Sequence, residues 1–88
     1  MEAEIELDVS MLEPPEPLQR ILNTIHTINP GQYLKVLHHR EPFPLYPILE
    51  REGFTHNTRQ GQVMPFEIFI WRMNDSAAQE KAAQAMGL

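Results

Sequence analysis

Two proline-rich stretches interrupt the 88-residue chain and limit where its strands and helices can run. Residues 14–17 contain three prolines and residues 42–44 contain two. Proline lacks a backbone N–H, so neither stretch can continue a β-ladder. Pro17 still suits the first turn of a helix, where a missing N–H costs nothing. The sequence therefore predicts a strand before each stretch and a helix after it.

The hydrophobic pattern between these interruptions predicts the element order β-α-β-α-β-β. Ile5, Leu7 and Val9 alternate with acidic residues, as expected of a half-buried strand. From Pro17 onward, apolar residues recur at helical spacing as far as Ile28. The other predicted elements are a strand at 32–39, a helix at 44–52, a strand at 54–60 and a longer strand at 63–73.

The handedness of parallel β-α-β connections determines on which side of the sheet the helices lie. Because β-α-β connections are right-handed, both helices are expected on one face of the sheet. The predicted class is α+β, a two-layer α/β sandwich with a four-stranded mixed sheet whose closing hairpin is antiparallel. We expect one domain at residues 1–75 and a tail at 76–88 that is helical or frayed. Ser76 and Gln79 form a capping-box pattern, but the tail is rich in alanine and is expected to dock loosely.

Composition and charge argue against several classes of function. The chain has no cysteine, which excludes disulfides and thiolate chemistry. Its net charge is −5 and its first 16 residues carry six acids and no Lys or Arg, which argues against binding nucleic acid. No apolar run approaches the roughly 20 residues that span a bilayer. The acidic N-terminus is unlike a signal peptide, so a cytoplasmic location is expected.

The first proline stretch resembles that of the TusA/SirA family of sulfur carriers. In those proteins a Cys-Pro-x-Pro motif follows the first strand and begins the first helix. Here Pro15-Glu16-Pro17 matches the Pro-x-Pro part and Pro14 occupies the cysteine position. The resemblance implies the same β-α-β-α-β-β fold. Sulfur-carrier activity is excluded, because persulfide transfer needs a thiolate.

A bacterial branch of that superfamily, a domain of unknown function numbered twenty-two forty-nine, is a closer match. The motifs LDVSMLEPPEP at residues 7–17 and LHHREPFPLYP at residues 37–47 are similar to those of that branch. The resemblance covers residues 5–73. Because the branch has no established activity, the resemblance implies a fold and no function.

The predicted binding site lies where the first two strands end. Their carboxyl ends should open on one edge of the sheet, where ligands of open α/β layers bind. The ligand-binding candidates there are Glu13, Glu16, His38, Arg40 and Glu41. Each also has a structural interpretation: Glu16 as a helix-start carboxylate, His38 as a hydrogen-bonded structural residue and Arg40 as a clamp between loops.

A second candidate surface is the sheet face opposite the two helices. If Phe66, Ile68 and Ile70 face the helices, then aromatic residues of the same strand face outward. The partner-surface candidates are Tyr33, Leu37, Phe69 and Trp71. Either this face binds a partner or a second copy of the chain, or the tail folds over it.

The sequence favours a non-enzymatic binding or adaptor module of the TusA-like fold that has lost sulfur-carrier chemistry. The expected partner is a protein or a small anionic ligand, with a homodimer through the open sheet face as one arrangement. No catalytic residue, metal site or cofactor is predicted. The alternative is an accessory catalyst, or a protein that binds a metal or redox ligand, using the edge formed by Glu16, His38 and Arg40.

Overall fold

The computed structural model describes residues 2–88, and this part of the chain forms four strands and three helices. In chain order they are β1 (Glu4–Asp8), α1 (Glu16–Ile25), β2 (Tyr33–His38), α2 (Leu45–Arg51), β3 (Phe54–Gln60), β4 (Phe66–Arg72) and α3 (Ser76–Met86). The predicted α+β class and the order of its first six elements are confirmed. Of these helices, none has the length and apolarity needed to cross a membrane.

The strands form one mixed sheet in the order β1-β2-β4-β3. β1 and β2 are parallel, with Leu7 opposite Val36. β4 lies antiparallel to both β2 and β3, and its first residue, Phe66, pairs with His38 at the end of β2. The end of β2 and the start of β4 therefore lie side by side.

The main core lies between this sheet and the layer formed by α1 and α2. Alternation places Ile5 and Leu7 of β1 on this side, as predicted. Ile21 and Ile25 of α1 are fully buried against the sheet, because helical spacing puts them on one face. The other core residues are Val9, Ile28, Leu34, Val36, Leu45, Leu49, Phe54, Ile68 and Ile70.

The opposite face of the sheet is covered by α3. Ala78 and Ala82 are fully buried there, against the aromatic side chains of β2 and β4. Tyr33, Phe69 and Trp71 are 4%, 0% and 6% exposed, so they are core residues and no partner surface. Of the four predicted partner-surface residues, Leu37 alone keeps partial exposure. The tail therefore folds over this face, which is one of the two predicted alternatives.

The ends of α3 explain why an alanine-rich tail docks closely and does not fray. Its N-cap is Asp75, one residue before the predicted capping box, and the Asp75 carboxylate accepts hydrogen bonds from the N–H groups of Ala78 at 3.0 Å and Gly31 at 2.9 Å. At the other end, Arg59 donates to the Met86 carbonyl at 2.8 Å. Both helix ends are thus attached to the sheet layer.

Several predicted boundaries move by one to three residues. α1 begins at Glu16 with Pro15 as its N-cap, one residue before the predicted start at Pro17. β4 begins at Phe66 and not at residue 63, because residues 61–65 form the hairpin loop. The N–H of Gly61 donates to the Pro65 carbonyl at 3.1 Å and closes that loop.

Candidate functional site

Three loops meet at one edge of the sheet, here called the loop edge: residues 9–15, 39–44 and 61–65. The first two follow the carboxyl ends of the parallel strands β1 and β2. The third precedes β4, whose first residue pairs with the last residue of β2. The two proline-rich stretches therefore lie together, as the sequence predicts for neighbouring parallel strands.

The proline loops enclose a cavity of about 370 Å³, here called the proline cavity. Its lining consists of Pro14, Pro15, Pro17, Leu18, His38, Arg40, Glu41, Pro42, Pro44 and Leu45. The volume lies at the small end of the range found for ligand sites, roughly 300–1,000 Å³. The cavity is therefore large enough for a small molecule or for one side chain of a partner.

The walls of the proline cavity are rigid and mostly apolar. Proline has a fixed φ and no rotatable side chain, so its rings lose little entropy when a ligand packs against them. Leu45 and Pro17 are buried, and both belong to helices that pack on the core. The cavity is thus formed before any ligand arrives, which lowers the cost of binding.

His38 supplies a defined polar group to this apolar wall. Its Nδ1 accepts a hydrogen bond from the backbone N–H of Arg40 at 3.1 Å. Burial lowers the pKa of His38, and the positive charges of His39 and Arg40 lower it further. We therefore assign the neutral tautomer with its proton on Nε2, which leaves one N–H donor on the ring.

Arg40 and Glu41 are the two charged residues of the lining. The exposed Arg40 side chain forms no ion pair with any described residue. The predicted role of Arg40 as a carboxylate clamp between the loops is therefore absent. Glu41, by contrast, accepts a hydrogen bond from the Tyr46 hydroxyl at 3.0 Å, which anchors its carboxylate to α2.

The structure separates the remaining two candidates. Glu13 lines an adjacent cavity of about 270 Å³ that also includes Ser10, His38 and Arg40. Glu16 lines neither cavity and lies exposed in the first turn of α1, as in its structural interpretation. No hydrogen bond or ion pair between described residues joins His38 to Glu16, and the two side chains do not line a common cavity.

Among residues 2–88, no group of three or more His, Cys, Asp or Glu side chains is placed to hold a metal ion. The Ser10 hydroxyl donates to the Asp8 carboxylate at 2.6 Å, and its backbone N–H donates to the same oxygen at 2.9 Å. These bonds close the turn after β1, and they lower the pKa of Asp8.

Sequence reasoning missed the residues that form most of the cavity wall. It treated the prolines as chain breakers, although their rings also provide rigid apolar surface. It also missed that Met11, Phe43 and Val63 are exposed, one on each loop of the loop edge. The available signal was two large apolar residues, Met11 and Phe43, inside segments already predicted to be loops, whereas Val63 had been assigned to the start of the last strand.

Comparison with known proteins gives one finding. The model of a family described as "Uncharacterized conserved protein (DUF2249)" matches residues 6–72, which run from β1 through β4 and include every residue of the proline cavity. The comparisons with curated proteins and with solved structures found no match.

Proposed function

The chain belongs to the DUF2249 family, and from that premise we propose that it is a non-enzymatic binding module whose ligand site is the proline cavity. The observation that carries this proposal is a cavity of about 370 Å³ with rigid prolyl walls, formed by both proline-rich loops. Binding needs a shaped and largely apolar site with a few oriented polar groups, and this cavity has those properties.

The arrangement of titratable groups supports binding over catalysis. An acid–base mechanism needs two groups within hydrogen-bond reach of one substrate. Here the carboxylate of Glu16 lies outside both cavities that His38 lines. The alternative of an accessory catalyst built from Glu16, His38 and Arg40 therefore has less support.

The same proposal includes the superfamily and the cellular location of the protein. We place it among cytoplasmic bacterial proteins related to the TusA-like sulfur carriers, in which Pro14 has replaced the reactive cysteine. The support is the Pro15-Glu16-Pro17 match and the order of the first six elements, β-α-β-α-β-β. The occupant of the cavity is then a small ligand or a side chain of a protein partner.

Nuclear magnetic resonance with a cavity-filling variant tests the proposal. The ¹⁵N-labelled protein is titrated with small single-ring probes such as benzoate and benzamide. We expect amide shifts to change at Leu18, His38 and Leu45 and to stay unchanged along α3. Leu18→Trp should fill the cavity and weaken binding about tenfold or more, since it occupies the space that the probe needs.

A matched variant separates cavity filling from damage to the helix. Leu22 is also half-buried on α1 but does not line the cavity. Leu22→Trp should leave probe binding unchanged. Probe-induced shifts scattered over the surface, or equal loss of binding in both variants, would contradict a ligand site in the proline cavity.

A further inference from the structure

We propose, on the basis of the function proposed above, that the ligand of the proline cavity is a small molecule with an apolar body and a single anionic group. The apolar body is recognised by the prolyl rings and by the side chains of Leu18 and Leu45. The anionic group is recognised by Arg40 and His38, the two hydrogen-bond donors of the lining.

Arg40 is the first element of this recognition. It belongs to the loop that follows β2, and its guanidinium has no ion-pair partner among the described residues. Lys35 and Arg59, by contrast, both pair with Glu67, at 3.9 and 2.9 Å. A guanidinium has a planar set of donors that matches a carboxylate or phosphate group. At the wall of an apolar cavity, such a group fixes one end of a ligand.

His38 provides a second donor on the same wall. Its backbone-bonded Nδ1 leaves the Nε2–H as the only polar atom of the ring that can contact a ligand. A neutral imidazole donates one hydrogen bond and adds no charge. Together with Arg40, it offers a site for two oxygens of one anionic group, which is the arrangement that a carboxylate needs.

The acidic residues nearby limit the ligand to one negative charge. Glu41 also lines the proline cavity, and its carboxylate is held by the Tyr46 hydroxyl at 3.0 Å. Glu13 lines the adjacent cavity, in which Arg40 also takes part. Because each cavity that Arg40 lines also has a glutamate in its lining, a ligand with several negative charges is expected to be disfavoured. The inference therefore favours a singly charged anion over nucleotides and other polyphosphates.

The size of the cavity limits the apolar body in the same way. About 370 Å³ that is partly open to solvent accommodates one ring or a short branched chain. An aromatic ring also packs well against prolyl rings, because its flat face contacts their apolar C–H groups. A single-ring carboxylate such as benzoate is therefore a suitable probe for the chemical class.

A pair of probes that differ in charge tests the inference. Benzoate and benzamide have nearly the same shape, but only benzoate is an anion. We expect benzoate to bind about tenfold more tightly than benzamide by NMR titration at low salt. Arg40→Gln should abolish that preference, since it removes the guanidinium and keeps a long polar side chain.

Arg20 supplies the matched control, because it is an exposed arginine on α1 that does not line the cavity. Arg20→Gln makes the same change in net charge and should keep the preference for benzoate. Equal binding of the two probes to the unmodified protein, or a preference that survives Arg40→Gln, overturns the inference but leaves cavity binding intact. Loss of all probe contact with the cavity residues would overturn the proposed function as well.

Discussion

His38 shows how one residue can serve both the fold and the site. Its Nδ1 accepts the Arg40 N–H at 3.1 Å and so fixes the start of the second proline loop, while Nε2–H remains for a ligand. This bond exists only while Nδ1 is unprotonated. His38 can therefore hold the loop and contact a ligand at the same time. Protonation of Nδ1 affects both roles, because it removes the hydrogen bond from Arg40 and adds a charge at the cavity wall.

Acid is expected to destabilise the protein in part through His38. Burial and the charges of His39 and Arg40 lower its pKa in the folded state, so the unfolded chain binds a proton first as the pH falls. The contribution of His38 to the free energy of unfolding is fully present above about pH 6.5. It decreases below that pH, because the unfolded state then binds more protons than the folded state. His38→Asn keeps an acceptor near the position of Nδ1 but cannot titrate. We expect it to lose less stability than the unmodified protein between neutral pH and about pH 5.

Urea unfolding at several pH values measures this difference. His26→Asn is the control, because His26 is exposed and lies near Glu52 at the far end of α1. It should leave most of the acid sensitivity in place. An identical pH profile for His38→Asn and the unmodified protein would show that His38 does not titrate in the way its surroundings require.

At the scale of elements, α3 owes its close packing to small side chains. Ala78 and Ala82 let the helix backbone approach the sheet, so that Phe69 and Trp71 are covered without large apolar residues on the helix. Hydrophobicity alone undervalues such a helix, because alanine contributes little area of its own. Its small side chain instead lets the helix come close enough to bury the aromatic side chains underneath.

A charge at the buried position of α3 should uncover the aromatic face. Ala82→Glu places a carboxylate where there is no exposure and no described partner, which is expected to cost at least about 2 kcal/mol of unfolding free energy. Ala85→Glu makes the same change at an exposed position of the same helix and should alter stability by about 0.5 kcal/mol or less. Trp71 is the single tryptophan, so its fluorescence reports the packing directly. Emission should move to longer wavelength in the first variant only, and equal spectra in both would contradict a closely packed α3.

The fold could be predicted from the sequence where side-chain period decides the outcome. Alternation assigned Ile68 and Phe69 to opposite faces of β4, and both assignments are confirmed. Helical spacing likewise assigned Ile21 and Ile25 to the core. The covered sheet face could be predicted only as one of two alternatives, since nothing in the alanine pattern shows how closely a helix can approach.

The candidate site was predictable only as a region. Parallel neighbouring strands required the two proline loops to meet, and they do. Which side chains line the cavity depends on the loop backbone, which no periodicity describes. Glu16 illustrates this, because it lies between Pro15 and Pro17, which line the cavity, and does not line it itself.

At the scale of the whole molecule, the distribution of basic residues matters more than their number. Lys35 and Arg59 are paired with Glu67, and Arg72 donates to the Ile28 carbonyl. The other four lie on four separate parts of the chain: Arg20 on α1, Arg40 in a loop, Arg51 on α2 and Lys81 on α3. Nucleic acid is bound by basic residues that act together on one face. Among the described residues, the bases that make none of these contacts are distributed over α1, α2, α3 and one loop and form no dense run in the sequence.

We therefore expect no measurable binding to RNA or DNA even at low salt. The measurement is the fluorescence anisotropy of labelled single-stranded oligonucleotides with increasing protein concentration. A variant with Glu13→Lys and Glu16→Lys is the sensitivity control, because it replaces two acids at or next to the loop edge by bases and should give weak binding that disappears as salt is added. If the unmodified protein bound with a comparable salt dependence, its phosphate contacts would have to come from residues on different elements. That result would refute the argument from charge distribution, whereas a salt-independent signal would point to base stacking on the exposed Phe43 of the loop edge.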